Sequence, residues 1–226
     1  MAKTYSIAID GPAGAGKSTI ARRLAKELGF YYVDTGAIYR TVAYFMDLLG
    51  ISPKDVDGVE RYIDELTISI EYDEEGAQHM IMNGMDVSND IRTQDISQKA
   101  SLVSAHSVVR DVLLDMQRDV AKKHNVIMDG RDIGTVVLPK ANVKIFLTAD
   151  PEVRAKRRYD ELIAKGQKAN LPQILKEIQQ RDHQDMNRPI APLKQAKDAV
   201  LVDTSGLDIE GVVDAIKTIV KEKIAL

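Results

Sequence analysis

A glycine-rich run near the N-terminus has the residue types and spacing of a loop that binds phosphate groups. Residues 11–18 match the pattern G-x-x-x-x-G-K-[ST], between an apolar run at 5–9 and a helical pattern at 20–28. Glycine is needed because the backbone N–H groups must converge on the phosphates in front of a helix N-terminus. Lys17 adds a cation for the β- and γ-phosphates, and the Ser18 hydroxyl adds a ligand for Mg²⁺.

The predicted loop comprises Gly11, Pro12, Ala13, Gly14, Ala15, Gly16, Lys17, Ser18 and Thr19, with Thr19 at the start of the helix. A glycine-rich turn without a ligand is the alternative, and the order of strand, loop and helix disfavours it. The motif indicates a nucleotide but does not indicate the reaction.

A second set of charged residues follows a predicted strand at 126–128. Asp129 can hold a magnesium-bound water, Arg131 can neutralise a phosphate in transfer, and Asp132 can orient a sugar, a base or an arginine. A simple Asp-Gly turn is the alternative. Two carboxylates on either side of an arginine favour a role in an active site.

A third candidate, Asp34–Arg40, follows the predicted strand at 31–33. Thr35 can donate a hydrogen bond to a phosphate, and Gly36 permits close approach of the backbone. Arg40 lies one helical turn beyond Gly36 and faces the same cleft if a helix starts there. When this segment is considered alone, a capped helix with a surface arginine is the better explanation.

Arginines are concentrated between residues 154 and 188, which hold five of the 13 in the chain. Two sets recur at helical spacing, and each is predicted to share one helix face: Arg154, Arg157 and Arg158, and then Arg181, Asp185 and Arg188. The planar guanidinium group suits phosphate oxygens. A solvated helix face with ion pairs at i, i+4 is an equally good interpretation of either set alone. Beside a phosphate loop, the arginines favour phosphate binding.

Short apolar runs between helical patterns predict a parallel sheet with helices on both faces. These runs are 5–10, 31–33, 126–129, 143–149 and 199–203. Because parallel strands end at the same edge, the three charged sets are expected to meet there.

Two segments interrupt the alternation of strands and helices. The first has a helical pattern at 38–50 and then two hairpin signals, at 73–76 and 83–84, which predict a small antiparallel sheet. The second, 150–188, reads as a helical hairpin in which Gly166 ends one helix and Asn170 opens the next.

The composition narrows the class of protein. The chain has 226 residues, 31 basic and 34 acidic side chains, a net charge of −3 and no cysteine. These values argue against a nucleic-acid polymer as partner, and they exclude disulfides and thiolate chemistry. No signal peptide and no 18-residue apolar run is present, so we expect a cytoplasmic enzyme without a membrane partner.

Motifs along the whole chain resemble those of one family in order and spacing. They are GPAGAGKST, DTGAIYR, IRTQDISQKAS, DGRDIGTVV, KIFLTA and RDHQDMNRPIAPL. The chain resembles the bacterial cytidylate kinases, of the P-loop nucleoside monophosphate kinase family. The resemblance implies an α/β fold with a three-layer P-loop kinase core around a five-stranded parallel sheet. It also implies a core domain (1–35, 106–149, 189–226), a monophosphate-binding insertion with a small antiparallel sheet (36–105) and a helical lid (150–188).

The same resemblance implies transfer of the γ-phosphoryl group of ATP to CMP or dCMP with Mg²⁺, by a protein expected to be a monomer. The candidate catalytic residues are Lys17, Asp129, Arg131 and Arg157, with Ser18 as the metal ligand. By similarity, the candidate acceptor residues are Thr35 and Arg40 for the phosphate, Ser101, Arg110 and Asp132 around base and phosphate, Arg181 and Asp185 for the pentose, and Arg188 at the cytosine end. Thr35 stands where a serine is common.

One spacing requires a break in the chain. Ser101 and Arg110 lie about two and a half turns apart, so one straight helix would point them to opposite sides. We therefore expect an interruption at 104–107. The alternatives in function are a P-loop kinase for another monophosphate or small acceptor, and a nucleotide-dependent switch. The switch is disfavoured because the chain lacks an N-K-x-D guanine motif.

Overall fold

A computed structural model describes residues 4–224; residues 1–3 and 225–226, which belong to the predicted core domain, lie outside that range. Five parallel strands form the central sheet, in the order β2-β6-β1-β7-β8. Their bounds are Ser6–Asp10 (β1), Tyr31–Asp34 (β2), Val126–Gly130 (β6), Val143–Thr148 (β7) and Val200–Asp203 (β8). The predicted five-stranded sheet is confirmed, with each strand end within one or two residues of expectation.

Eight α-helices surround the sheets of the described chain. They are Lys17–Leu28 (α1), Thr35–Leu48 (α2), Val56–Tyr62 (α3), Gln94–Val103 (α4), Ser107–Lys123 (α5), Pro151–Ala164 (α6), Leu171–Asn187 (α7) and Ile209–Lys223 (α8). In β1, Ile7 and Ile9 pack with α1 and α8, whereas Ala8 belongs to the apolar cluster of α2, α4 and α5. The sheet is thus buried on both faces, as a parallel sheet requires.

The insertion carries a three-stranded antiparallel sheet in the order β3-β4-β5, at Ile68–Tyr72, Gln78–Met82 and Met85–Asp86. The second hairpin turn has positive φ at both Asn83 and Gly84, as its Asn-Gly sequence predicts. Met80 and Met82 are buried in the same cluster as α2. The small sheet therefore packs against the element that begins at the carboxyl end of β2.

Helices α6 and α7 form the predicted helical hairpin. Gly166 has φ +72°, and the Asn170 side chain accepts a hydrogen bond from the Gln173 amide at 3.0 Å. The prediction that Arg188 shares a helix face with Arg181 is wrong, because α7 ends one residue before Arg188. The extended backbone at Arg188 follows from the proline at 189, which disfavours helix in the preceding residue.

The predicted interruption between Ser101 and Arg110 is present. Helix α4 ends at Val103, α5 begins at Ser107, and His106 between them is extended. The chain therefore bends between the two candidate residues. The boundaries of core, insertion and lid stay a prediction.

Candidate active site

The glycine-rich run forms a tight loop between β1 and α1. Gly11 has φ +151°, and a Cβ added there would lie 1.9 Å from the carbonyl oxygen of Leu147. Gly16, with φ +85°, stands directly before α1. The helix begins at Lys17 and not at Thr19 as expected, because the left-handed Gly16 already turns the chain into the helix. The first N–H groups of α1 have no acceptor within the helix, which is the arrangement an anion needs.

Lys17 is a buried cation, 6% exposed, whose Nζ donates to the Pro12 carbonyl oxygen at 2.8 Å. Burial, and next the charge of Arg131, lower the pKa of Lys17 to about 7, although Asp129 opposes them. The protein thus holds this ammonium group where its charge is poorly compensated.

Asp129 ends the hydrophobic part of β6 and accepts two hydrogen bonds. The donors are the Ser18 hydroxyl and the Tyr32 hydroxyl, each at 2.8 Å. Burial, and next the charge of Asp34, raise the pKa of Asp129, while Lys17 and the two hydroxyl donors oppose that shift.

The Ser18–Asp129 pair fits a Mg²⁺ site of the kind that nucleotides complete. Within residues 4–224, no cluster of three or more His, Cys, Asp or Glu side chains could hold a metal without other ligands. Mg²⁺ commonly takes few protein oxygens together with waters and substrate phosphates. One hydroxyl and one carboxylate beside the phosphate loop match that mode.

The segment after β2 brings Asp34, Thr35 and Arg40 to the same edge of the sheet. Helix α2 starts at Thr35, and the Thr35 hydroxyl donates to the Asp129 carbonyl oxygen at 2.7 Å. Asp34 accepts from Arg40 Nη2 at 2.9 Å. Arg40 Nε is buried and has no acceptor among the described residues. Its N–H is therefore available to a ligand.

Asp132 contacts two of the predicted acceptor residues. Its Oδ2 accepts from Arg110 in a buried ion pair, and its Oδ1 accepts from Arg188 at 3.3 Å. Both arginines also reach Ser104, which lies in the break between α4 and α5. Of the three roles considered for Asp132, the structure realises the orientation of arginines.

Asp185 joins α7 to the segment after β6 and to α4. It accepts from Arg131 Nε at 2.7 Å and contacts the Ser101 hydroxyl at 3.5 Å. Burial alone would raise the pKa of Asp185, but the charge of Arg131, a hydrogen bond from it and the charge of Arg181 lower it overall. Asp185 is therefore held as a carboxylate between two arginines.

Arg181 is the most weakly paired cation of this group. Its Nε is buried without an acceptor among the described residues. Burial, and next the charge of Arg131, lower the pKa of Arg181 to about 10, and Arg40 adds to the repulsion. The charges of Arg131 and Arg181 likewise lower the pKa of Lys17. Four cations from the phosphate loop, α2, the segment after β6 and α7 thus lie close enough for repulsion between them to lower the pKa values of Lys17 and Arg181.

Almost the whole chain matches a known family. Residues 7–222 match the sequence profile described as Cytidylate kinase. The chain belongs to the cytidylate kinase family.

Individual relatives in this family are similar over almost the whole chain. A cytidylate kinase from Exiguobacterium sp. strain AT1b is 47% identical over 222 residues, which cover 98% of this chain and 99% of the relative. A cytidylate kinase from Carboxydothermus hydrogenoformans is 49% identical, with coverage of 96% and 97%. Among solved structures, an uncharacterised protein from Eubacterium ventriosum covers 97% of this chain and 99% of its own, with a TM-score of 0.54 at 14% identity. That likeness concerns the fold alone.

Within this member of the cytidylate kinase family, the three arginines of α6 do not form one shared surface. Arg154 is buried, Arg157 donates to the Thr204 carbonyl oxygen at 2.6 Å, and Arg158 pairs with Glu161 on the exposed side of the helix. The three positions lie on one side of α6, as their spacing predicts, but their guanidinium groups reach three different partners. The catalytic role of Arg157 stays a prediction.

Sequence reasoning missed two residues that support the site, Tyr32 and Asp10, and predicted another role for a third, Arg154. Tyr32 donates to Asp129, Arg154 donates to the Ala13 carbonyl oxygen at 2.9 Å, and Asp10 accepts from the backbone after Asp132. Asp10 could have been identified from the sequence, because it is a carboxylate at the carboxyl end of a predicted strand. Tyr32 gave no signal, since it lies inside a strand and pairs with a distant residue. Arg154 was predicted to bind phosphate, whereas its partners in the structure are the Ala13 carbonyl oxygen and Asp182.

Proposed function

We propose that this protein transfers the γ-phosphoryl group of ATP to CMP and dCMP. The observation that carries the proposal is the cluster of Lys17, Arg40, Arg131 and Arg181 between the phosphate loop and the acceptor segments. Two buried guanidinium N–H groups in it lack acceptors among the described residues. Buried donors of this kind are costly unless a ligand supplies oxygens. Donor and acceptor phosphates together would supply them.

The proposed mechanism needs no general base. The acceptor is a phosphate whose second pKa is about 6, so an anionic nucleophile already exists at neutral pH. One oxygen of that phosphate attacks the γ-phosphorus, and the bond to the bridging oxygen of ADP breaks in line with it. The protein contributes alignment, neutralisation by Lys17, Arg131 and the lid arginines including Arg157, and exclusion of water.

Ser18 and Asp129 would hold Mg²⁺, Ser18 directly and Asp129 through a water. When bound, the ion offsets charge on the donor phosphates. The backbone of residues 11–19 would bind the same phosphates, and Lys17 would exchange its contact with Pro12 for the β- and γ-phosphate oxygens.

On the acceptor side, we assign the phosphate to Thr35, Arg40 and Arg131, and the pentose to Arg181 and Asp185. The Thr35 hydroxyl would leave the Asp129 carbonyl oxygen to donate to that phosphate. Ser101, Arg110, Asp132 and Arg188 would surround the base. The hydrogen bonds around Asp132 support this assignment, because they hold two arginines in fixed positions at the end of the cleft.

We further propose that the chain is organised into a core, an insertion at 36–105 and a lid at 150–188. We also propose that the protein is a monomer in the cytoplasm, and that it acts on small molecules and not on nucleic-acid polymers. Within residues 4–224, no helix combines the length and apolarity needed to cross a bilayer. Size-exclusion chromatography with light scattering tests the monomer.

A coupled assay of ADP release across CMP, dCMP, UMP, AMP and GMP tests the proposed reaction. We expect rapid ADP formation that requires CMP or dCMP. Faster turnover with another acceptor would favour the alternative kinase. Slow ADP formation that is independent of any acceptor would favour a nucleotide-dependent switch.

A further inference from the structure

A single π-helical turn, Ile133–Val137, connects the charged segment after β6 to the rest of the chain, and ionic side chains hold it at both ends. At its start, Asp10 Oδ1 accepts from the Ile133 amide and Asp10 Oδ2 accepts from the Gly134 amide, both at 2.7 Å. At its end, Arg118 donates to the carbonyl oxygens of Val136 and Val137, both at 3.0 Å. The turn is therefore fixed by groups from β1 and α5.

The Asp10 carboxylate is buried and closely packed, so its side chain has little room to take another position. It is 3% exposed, and a Cβ added at Gly134 would lie 3.2 Å from its Oδ2 and 3.2 Å from Lys144 Cδ. Burial raises the pKa of Asp10 to about 6, while its two backbone donors oppose that shift. At pH 8 the group is therefore a carboxylate, and each of its oxygens serves one amide.

The residue directly before this turn is Asp132, which carries the ion pairs to Arg110 and Arg188. The position of the first amides of a helical turn fixes the backbone orientation of the residue that precedes the turn. Loss of either amide contact would allow Asp132 to rotate away from its two arginines.

We propose that Asp10 is a positioning residue for the acceptor subsite, which acts through Asp132 by fixing the start of the π-helical turn. The inference rests on the proposed function, since the subsite is the one assigned to CMP. Asp10 needs no contact with either nucleotide for this role. A carboxylate next to the phosphate loop thus serves the acceptor and not the donor.

The competing account is that Asp10 acts on the donor through Lys17. Lys17 attracts the Asp10 carboxylate electrostatically, whereas Asp132 repels it. The two accounts differ in the substrate that is affected. An effect through Asp132 changes the KM for CMP, and an effect through Lys17 changes the KM for ATP.

The test is steady-state kinetics at pH 8 on Asp10→Asn, Asp132→Asn and the double variant. An asparagine side chain keeps the size of aspartate but turns an N–H₂ group toward one of the two amides. We expect Asp10→Asn to raise the KM for CMP about tenfold, as loss of one charge-assisted hydrogen bond would, with less than about a twofold change in the KM for ATP. The double variant should be no worse than Asp132→Asn alone, because both changes act on one path.

Asp198→Asn is the matched control. Asp198 is an exposed partner of Lys144 and should leave both KM values unchanged. Additive effects of Asp10→Asn and Asp132→Asn on the KM for CMP would overturn the proposal, and so would an effect confined to ATP. If Asp10→Asn does not fold, Arg118→Met releases the other end of the same turn, and an unchanged KM for CMP in that variant would refute the inference.

The two levels of proposal fail in different ways. If the wild-type protein does not phosphorylate CMP, the proposed function is wrong. If the wild-type protein phosphorylates CMP and Asp10→Asn has an unchanged KM for it, only the positioning role is wrong.

Discussion

At the scale of single residues, the candidate site contains buried cations whose charge the protein compensates only in part. Burial lowers the pKa values of Lys17 and Arg181, and both groups also feel the charge of Arg131. The nearest carboxylates, Asp129 and Asp185, already accept hydrogen bonds from other side chains. A bound polyphosphate would supply negative charge that the protein itself lacks, so binding removes an electrostatic cost.

Replacement of Lys17 by alanine separates catalysis from stability. We expect Lys17→Ala to lower turnover by at least about a hundredfold, because the donor phosphates lose their mobile cation. The thermal unfolding midpoint should stay the same or rise, because a desolvated charge is removed. Assays of ADP release and calorimetry measure the two effects. Lys26→Ala, at an exposed position of the same helix, should change neither. Near-normal turnover of Lys17→Ala would contradict the phosphate role.

Arg188 tests the proposed acceptor end of the site. Its guanidinium group donates to Asp132, Ser104 and the Ala191 carbonyl oxygen. We expect Arg188→Ala to raise the KM for CMP about tenfold or more, since a charged hydrogen-bond donor is lost, while the KM for ATP changes little. Kinetics with each nucleotide varied in turn provide the measurement. Unchanged saturation by CMP and an unchanged preference for pyrimidines would refute the assignment.

At the scale of elements, Arg154 links the helical hairpin of α6 and α7 to the glycine-rich loop. Its guanidinium donates to the carbonyl oxygens of Ala13 and Ala149 and pairs with Asp182 of α7 at 2.6 Å. The pair is buried and is made by Asp182 Oδ2, while Asp182 Oδ1 has no hydrogen-bond partner among the described residues. One side chain thus connects the loop, the end of β7 and both helices of the hairpin.

Loss of Arg154 should destabilise the protein strongly. Arg154→Ala leaves Asp182 as an uncompensated buried carboxylate, and we expect a loss of about 3–5 kcal/mol in the free energy of unfolding. Arg158→Ala is the control on the same helix, and its exposed ion pair should contribute less than about 1 kcal/mol. Urea unfolding of both variants provides the comparison. Equal losses would contradict the linking role of Arg154.

Local patterns predicted the elements well, because they depend on short-range rules. The Asn83-Gly84 turn, the Asn170 cap and the break at 104–107 follow from turn chemistry, capping and helical spacing. The π-helical turn was not predictable, since Asp10 and Arg118 stabilise it from more than 15 residues away in sequence. For the same reason, the separate destinations of the α6 arginines depend on tertiary partners that a sequence pattern does not contain.

At the scale of the whole molecule, the site imposes a pH dependence on folding that exposed charges do not. Burial raises the pKa of Asp10 from 3.8 to about 6 and lowers that of Lys17 from 10.5 to about 7. For Asp10, the stabilising contribution is present below pH 3.8 and is lost as the pH rises to about 6. For Lys17, the native state binds fewer protons than the unfolded state, so stability increases as the pH rises from about 7 to 10.5.

Together, the two groups should make the ligand-free protein least stable, relative to a variant without them, between about pH 6 and 7, where both are ionised in the interior. The measurement is the free energy of unfolding of the wild type minus that of Asp10→Asn/Lys17→Ala, followed by urea titrations from pH 4 to pH 10. Constant offsets from lost contacts cancel, because only the shape of the difference matters. As the pH rises through the titration of Asp10, this difference in the free energy of unfolding should fall by about 3 kcal/mol, which corresponds to about two pKa units. A flat difference curve, or a maximum in that window, would show that neither charge is held against its solvation in the native state.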